Sequence, residues 1–299
     1  MIPVKPKKKL IVLIASFMGL FIGGLLAFLL EHLDSTLKKG ADIEEKLGIP
    51  ILGLLPLLAL QKPSENEKAP TPLKYSQQNP KSFFTESIRT IRTGVLLSGL
   101  DNPHKIIVVT SSVPGEGKST VSMNLASSMS ELNRVLLIDA DMRRPTVAKT
   151  WGLKTGSKGL SEFIAQNGDL NSCIHRVGDT SHQLYIMPSG LVPPNPLELL
   201  SSKLFANGLE VLATKFDHIV IDSAPALAVS DALLLSSLAS GVIYVVRADE
   251  TPIAAAKDGV KRLLKHDAHL IGGVLNSVRE NEKAGYYGGD YYGSYGYSE

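Results

Sequence analysis

Residues 105–120 read KIIVVTSSVPGEGKST, an apolar β-type run that leads directly into a glycine-rich turn and a Gly-Lys-Ser-Thr string. The pattern G-x-x-x-x-G-K-[ST] follows a strand and opens a helix, where backbone N–H groups and a lysine hold nucleotide phosphates. Its last three positions are Gly117, Lys118 and Ser119 here, whereas Ser112 replaces its first glycine. The stretch therefore predicts a variant phosphate-binding loop, and a chance glycine-rich turn is the minor alternative.

Each position of this loop has an expected task. Successive N–H groups from Gly115 to Ser119 can form a nest for an anion. Lys118 can reach the β- and γ-phosphates, and the Ser119 hydroxyl can bind Mg²⁺. We therefore expect ATP and Mg²⁺ as cofactors, bound by Gly115, Glu116, Gly117, Lys118, Ser119 and Thr120.

Three aspartates end later apolar runs. Asp139 and Asp141 close the run VLLIDAD at 135–141, and Asp222 closes HIVID at 218–222. A single aspartate at a strand end is usually a cap for a helix or turn. Three of them at the carboxyl ends of strands, where α/β folds bind ligands, favour a catalytic role. We predict that Lys118, Asp139, Asp141 and Asp222 are catalytic, and that Ser119, Asp139 and Asp222 hold the metal.

The fold prediction covers residues 81–280. Six apolar runs alternate there with segments of helical length, at 106–110, 135–141, 184–190, 218–225, 241–249 and 270–278. Continuous apolar strands indicate a parallel sheet that is covered on both faces. We predict a doubly wound α/β fold with a mostly parallel sheet.

The N-terminal residues differ in composition. A basic segment at 1–9 precedes Leu10–Leu30, which is apolar and uncharged over its whole length. Such a run predicts a transmembrane helix; a buried core helix and a signal peptide are the alternatives. Residues 31–80 are predicted to be a membrane-proximal segment that ends in a polar, proline-containing linker, Gln61–Pro80.

The lysines before this run favour a cytoplasmic N-terminus, which would place the residues after a single membrane helix on the opposite side. A domain that uses ATP, however, must itself be cytoplasmic. The conflict eases if the chain is the C-terminal part of a longer protein with another membrane helix upstream, and this is the expectation.

Residues 281–299 form a predicted flexible tail with five glycines and no Leu, Ile, Val or Phe. Six of the nine tyrosines of the chain lie in it: Tyr286, Tyr287, Tyr291, Tyr292, Tyr295 and Tyr297. A low-complexity adhesive tail is one interpretation of this cluster. With a nucleotide site on the same chain, a set of phosphate acceptors is the better one.

Glu86, Arg89 and Arg92 are spaced by three along a predicted helix. Intrahelical pairing at a solvated surface and a contact with a neighbouring subunit are equally compatible with this spacing. The net charge of +2 argues against nucleic acid as a partner, because phosphate backbones require a concentrated basic surface.

Taken in this order, the motifs resemble the bacterial tyrosine kinases of polysaccharide export, the BY-kinase family. The matching features are the variant loop at 112–120, the second aspartate motif at 139–141, Asp222, the Glu-Arg-Arg triplet and the tyrosine tail. The region before the kinase is similar to the end of a polysaccharide co-polymerase, with LGIPILGLLP at 47–56.

The resemblance implies a protein-tyrosine autokinase that phosphorylates its tail between subunits and regulates exopolysaccharide or capsule polymerisation and export. It implies a homo-oligomeric ring held by Glu86, Arg89 and Arg92, with the kinase domain on the cytoplasmic side of the inner membrane. The polysaccharide assembly machinery and a cognate tyrosine phosphatase are the implied partners. Two alternatives remain: a membrane ATPase of the MinD/ParA type, whose signature lysine would fall at Val113, and a non-catalytic scaffold that controls chain length.

Overall fold

The structure is a computed structural model that describes residues 8–33, 35–58, 71–154, 156–165, 170–178 and 183–279. The chain divides into two compact units, with the boundary between Thr36 and Leu37. The predicted tyrosine tail lies outside the described residues.

The first unit contains α1, Lys8–Leu33, a helix of 26 residues that includes the whole apolar run Leu10–Leu30. In the described part of the chain, however, no helix combines the length and the hydropathy that crossing a membrane requires. The helix is confirmed, and the membrane crossing is not.

The second unit begins with elements that we predicted to lie outside the nucleotide-binding domain. A short helix, α2 (Gly40–Asp42), continues into a π-helical turn (Ile43–Leu47), and strand β1 (Ile51–Pro56) follows. β1 joins the main sheet through parallel pairing with its last strand. The domain boundary predicted at Lys81 is therefore corrected to Leu37, because the sequence of an edge strand does not reveal its partner.

The predicted linker Gln61–Pro80 is also corrected in part, since its last residues form helix α3, Pro72–Gln78. The Thr71 side chain caps this helix by accepting a hydrogen bond from the Lys74 N–H at 3.3 Å. Proline is well tolerated in the first turn of a helix. A proline-containing composition therefore does not exclude α3.

The sheet has eight strands in the order β1-β8-β7-β2-β6-β3-β5-β4. All neighbours are parallel except β4 and β5, so the predicted mostly parallel sheet is confirmed. All six predicted strands are present, and β1 and β4 were missed. The remaining strands are β2 (Ile106–Ser111), β3 (Val135–Asp139), β4 (His175–Val177), β5 (Leu184–Met187), β6 (His218–Asp222), β7 (Gly241–Arg247) and β8 (Leu270–Val278).

Helices cover both faces of the sheet, which explains why its central strands are apolar throughout. Alternate residues of β3 enter opposite cores: Leu136 and Ile138 face one, Val135 and Leu137 the other. The second core, which contains Val135 and Leu137, also includes buried residues of α4 (Phe83–Ser98), α5 (Lys118–Met129) and α6 (Val147–Thr150). The first core, which contains Leu136 and Ile138, includes buried residues of α7 (Leu160–Ala165), α8 (Leu170–Cys173), α9 (Pro196–Leu200), α10 (Lys203–Lys215), α11 (Asp231–Leu238) and α12 (Ile253–Leu264).

The pairing of the strands brings the predicted site residues together at the carboxyl ends of β2, β3 and β6. Asp139 at the end of β3 is paired with Asp222 at the end of β6, and Asp222 is in turn paired with Val109 of β2. Because these strands are parallel, their carboxyl ends open on the same side as the loop that follows β2.

Candidate active site

The phosphate-binding loop runs from the end of β2 to the start of α5 at Lys118. Gly115 and Gly117 both have left-handed backbone conformations, with φ of 94° and 93°. A Cβ added at Gly117 would lie 1.9 Å from Nδ2 of Asn276, so that only glycine fits there. This geometry places the positive end of α5 at the mouth of the site, where anions bind favourably.

Ser112, which replaces the usual first glycine, has a structural partner. Its hydroxyl lies 2.7 Å from the hydroxyl of Tyr244 on β7, and both side chains are buried. Tyr244 donates onward to the carbonyl of Ala256 at 3.2 Å. Burial raises the pKa of the Tyr244 hydroxyl far above its usual value, so it stays protonated. The serine thus connects the start of the loop to the core.

Lys118 is held among carboxylates. Its Nζ lies 2.7 Å from Oδ2 of Asp141 and 3.9 Å from Oδ1 of Asp222. Burial opposes the charge on Lys118, but the attraction of Asp222 and Asp141 outweighs it and raises the pKa of the amine. The lysine is therefore a permanent cation at the start of α5, as phosphate binding requires.

Asp139 and Asp222 are fully buried carboxylates, and one oxygen of each has no hydrogen-bond partner among the described residues. Asp139 Oδ2 accepts from the N–H groups of Thr146 and Val147 at 3.1 Å, while Oδ1 has none. Asp222 Oδ1 accepts from Ser122 at 3.1 Å, while Oδ2 has none. An orphaned carboxylate oxygen is costly to bury and fits a site that binds a cation or a proton-donating substrate.

The electrostatics of the two carboxyls support this interpretation. Burial, together with the charges of Asp222 and Asp141, raises the pKa of Asp139 to about 8. Burial also raises the pKa of Asp222, although Lys118 and the Ser119 hydroxyl oppose the shift. Perturbed carboxyls of this kind mark catalytic sites in clefts.

Magnesium fits these donors only in part. Among the described residues, no group of three or more His, Cys, Asp or Glu side chains could by itself hold a metal ion. Mg²⁺ in nucleotide sites takes one or two carboxylates, waters and the phosphates themselves, so it does not need such a cage. The Ser119 hydroxyl with Asp139 and Asp222 remains the predicted set.

Sequence reasoning missed the residues that hold the loop from the β7–β8 side. Arg247 donates to the carbonyl of Gly115 at 3.2 Å, and Asn276 donates to that of Glu116 at 2.9 Å. Thr251 donates to the Glu116 carboxylate at 2.6 Å. No short-range signal could have found them, since Asn276 is separated from Glu116 by 160 positions.

A second missed pair joins two loops beside the site. Arg143, two residues after the second aspartate motif, makes two hydrogen bonds to the buried Asp231 at the start of α11, at 3.0 and 3.4 Å. The Asp231 carboxylate raises the pKa of Arg143. The position of Arg143 next to Asp141 was the only available signal.

The Glu-Arg-Arg triplet lies on α4 and is engaged within the chain. Arg89 pairs with Glu86 and donates to the carbonyl of Pro80 at 3.1 Å. Arg92 reaches the C-terminal end of α5, where it donates to the Ser128 carbonyl at 2.6 Å and to Glu131, just beyond the helix, at 2.8 Å. Intrahelical pairing is thus present for Glu86 and Arg89, and the predicted subunit contact remains untested. The phosphoacceptor tyrosines lie outside the described residues.

Sheet topology, loop and carboxylates together define a P-loop nucleotide-binding α/β protein. Residues 104–277 match the family model described as an AAA domain. Within that class, the chain belongs to the family of bacterial tyrosine-protein kinases.

Three relatives carry this assignment. The chain is 32% identical to the tyrosine-protein kinase ptk of Acinetobacter johnsonii over 288 residues, which are 95% of this chain and 39% of that protein. It is 34% identical to the tyrosine-protein kinase YwqD of Bacillus subtilis strain 168 over 70% of this chain and 88% of that one. The kinase domain of Escherichia coli tyrosine kinase ETK is 28% identical, with a TM-score of 0.72 over 79% of this chain and 94% of that one. The chain thus spans about two-fifths of the length of the Acinetobacter relative.

Proposed function

We propose that this chain is a Mg·ATP-dependent protein-tyrosine autokinase whose acceptors are its own tyrosines: Tyr286, Tyr287, Tyr291, Tyr292, Tyr295 and Tyr297. The observation that carries the proposal is the Lys118 ammonium at the start of α5, 2.7 Å from Asp141 and beside two buried carboxylates with orphaned oxygens. This arrangement offers a cation for the phosphates and a base for the incoming hydroxyl.

In the proposed reaction, Asp139 accepts the proton of the tyrosine hydroxyl, and the phenolic oxygen attacks the γ-phosphorus. The bond to the β–γ bridging oxygen breaks, and ADP leaves with that oxygen. A base with a pKa of about 8 is matched to proton transfer near neutral pH. Lys118 and the N–H groups at the start of α5 hold the charge on the phosphates during transfer. Bound Mg²⁺ would neutralise further charge on the β- and γ-oxygens.

Ser119 and Asp222 are the proposed metal ligands when Asp139, the third member of the predicted set, serves as the base, and Asp141 orients Lys118. The Lys118–Asp141 ion pair holds the amine in the site through a hydrogen bond of 2.7 Å. Phosphates that bind there have to compete with this carboxylate for the ammonium.

The test is mass spectrometry of residues 281–299 after incubation of the full chain with Mg·ATP. Phosphotyrosine is expected in the wild type and lost at least about a hundredfold in Lys118→Met, because the phosphate-binding cation is removed. Lys149→Met, at an exposed lysine of α6, is the matched control and should retain the signal. Tail phosphorylation that persists in Lys118→Met would overturn the assignment of the nucleotide site.

We also propose that transfer occurs between subunits of a ring with Glu86, Arg89 and Arg92 at the contact. A tail tethered near a neighbouring site would experience a local concentration in the millimolar range, which supports transfer in trans. Mixing Lys118→Met chains with chains that end at Glu280 tests the direction. Phosphotyrosine on the Lys118→Met chain is expected, and its absence would leave only transfer within one chain.

The cellular setting is part of the same proposal. The uncharged run Leu10–Leu30 within α1 supports attachment to the bacterial inner membrane, with the kinase domain in the cytoplasm. Regulation of exopolysaccharide or capsule polymerisation and export, and reversal by a cognate tyrosine phosphatase, follow from the family resemblance. Detection of phosphotyrosine separates this function from a MinD/ParA-type ATPase and from a non-catalytic scaffold.

A further inference from the structure

Glu116 is an unexpected residue in the middle of a phosphate-binding loop. A carboxylate close to phosphates repels them, and the loop pattern leaves this position open to any residue. Glu116 is 2% exposed, and burial raises the pKa of its carboxyl, although hydrogen bonds from Thr251 and the Val113 N–H oppose the shift. The side chain is therefore turned into the protein, where it serves as a hydrogen-bond acceptor.

Two close hydrogen bonds hold this carboxylate, and the Ser111 side chain and the Ser112 N–H stabilise its charge further. The Val113 N–H donates to Oε2 at 2.7 Å, across the turn of the loop. The Thr251 hydroxyl donates to Oε1 at 2.6 Å. The same hydroxyl accepts from the Arg247 N–H at 2.8 Å, so its only proton is directed at Glu116.

The surrounding contacts orient the peptide groups of the loop. Arg247 and Asn276 hold the carbonyls of Gly115 and Glu116 on the β7–β8 side. In a planar trans peptide the C=O and the following N–H point in opposite directions. The N–H groups of Glu116 and Gly117 therefore face away from β7 and β8, as a nest for phosphates requires.

The backbone of Thr251 is held by Leu37, the first residue of the second compact unit. The Leu37 N–H donates to the Thr251 carbonyl at 3.1 Å, and the Asp249 N–H donates to the Leu37 carbonyl at 2.9 Å. Asp249 has a φ of 60°, a conformation that non-glycine residues adopt only when their surroundings impose it. Leu37 is fully buried.

We propose that Thr251 is a positioning residue that sets the shape of the phosphate-binding loop through the Glu116 carboxylate, with the backbone of Leu37 holding Thr251 in place. The inference rests on the nucleotide binding in the proposed function. It predicts that nucleotide affinity depends on the Thr251 hydroxyl, which lies outside the phosphate-binding loop and is not one of the predicted catalytic groups.

The experiment compares Thr251→Val with Thr251→Ser in the full chain. Valine has the shape of threonine without the hydroxyl, and serine keeps the hydroxyl. Binding of a fluorescent ADP analogue with Mg²⁺, together with KM for ATP and kcat for tail phosphorylation, is measured for each. Thr251→Val should weaken nucleotide binding and raise KM by about tenfold or more, because one oxygen of a buried carboxylate loses its side-chain donor. Its kcat should stay within about twofold and Thr251→Ser should restore the affinity, since the catalytic groups are unchanged.

Wild-type affinity in Thr251→Val, or equal losses in Thr251→Val and Thr251→Ser, would overturn the inference. Should Thr251→Val fail to fold, Arg247→Met is the second variant, since it removes the donor to the Gly115 carbonyl from a side chain that is 34% exposed. It should also weaken nucleotide binding, and unchanged affinity in it would count against the inference. Glu250→Gln removes the Arg247–Glu250 ion pair of 3.0 Å and is the control expected to bind normally. If no chain forms phosphotyrosine yet affinity depends on Thr251, the kinase assignment fails and this inference stands.

Discussion

Asp139 Oδ2 accepts a hydrogen bond from the N–H of Val147 at 3.1 Å, so the proposed catalytic base also holds the start of α6. Its other oxygen is buried without a partner. The sequence left two interpretations of an aspartate at a strand end, a cap for the following helix or turn and a catalytic group. The two oxygens of Asp139 are compatible with both at once.

Replacement of Asp139 by Asn should abolish phosphate transfer and stabilise the fold. A carboxyl whose pKa rises from 3.8 to about 8 on folding binds its proton more tightly in the folded chain. Its favourable contribution is present at low pH and is lost as pH rises through about 8. Urea denaturation should show Asp139→Asn more stable than wild type by at least about 1 kcal/mol at pH 8, with little difference near pH 4.

The exposed Asp101 offers a control, since Asp101→Asn should leave stability unchanged at either pH. An Asp139→Asn chain that is less stable than wild type at pH 8 would contradict the raised pKa. Transfer by the wild type should fall as pH drops well below 8, because the base becomes protonated.

Ser112 and Tyr244 should be coupled energetically. Ser112→Ala and Tyr244→Phe each remove one side of a buried hydrogen bond and should cost about 1 kcal/mol. The double variant should cost less than the sum by about 0.5–1.5 kcal/mol. A double-mutant cycle by urea denaturation measures this, and strict additivity would show that the contact contributes nothing.

The arginines of α4 should differ in their effect on folding. Arg92→Ala removes contacts to α5 from a side chain that is 14% exposed and should destabilise the fold by about 1–2 kcal/mol. Arg89→Ala breaks a partly exposed pair with Glu86 and the bond to the Pro80 carbonyl, and it should cost less than about 1 kcal/mol. Thermal unfolding separates the two.

A test of subunit assembly requires a variant that leaves the fold stable, since Arg92→Ala is expected to destabilise it. Light scattering should show smaller oligomers for Arg89→Ala, whose fold is intact, and for the double arginine variant. Glu131→Ala breaks the ion pair of Arg92 but keeps the arginine, so it should retain the assembly. A full-size oligomer in the double variant would rule out this helix as the subunit contact.

Truncation should locate the edge of the folded unit. Deletion of residues 1–36 removes the first unit and should leave a chain that binds ATP. Deletion of residues 1–57 also removes β1, whose Leu52, Leu54 and Leu55 are buried. That chain should aggregate or unfold at a lower temperature, because β8 becomes an exposed edge. Equal stability of the two deletions would contradict the corrected boundary.

The nucleotide loop and the aspartates could be predicted because each signal is local: a glycine string after an apolar run, or a carboxylate at the end of one. The same holds for the six predicted strands. Thr251 and Asn276 could not be found in this way, since they meet Glu116 only through the order of strands in the sheet. β4 has three residues, of which none is fully buried, and leaves no periodic signal.

The pairing of Ile51 with Gly273 joins positions that are about 220 residues apart in the chain, so it is a contact of high sequence separation. During synthesis at about 5–20 residues per second, β1 emerges roughly ten to forty seconds before the strand that receives it. Throughout that interval the apolar segment ILGLLP lacks the strand with which it pairs, although α4, which packs against it, is made soon after. Pro56 at its end lacks an N–H for pairing with other chains. Pairing of β1 with β8 is consequently a late event in folding, and until then the open edge of β1 is available to a chaperone.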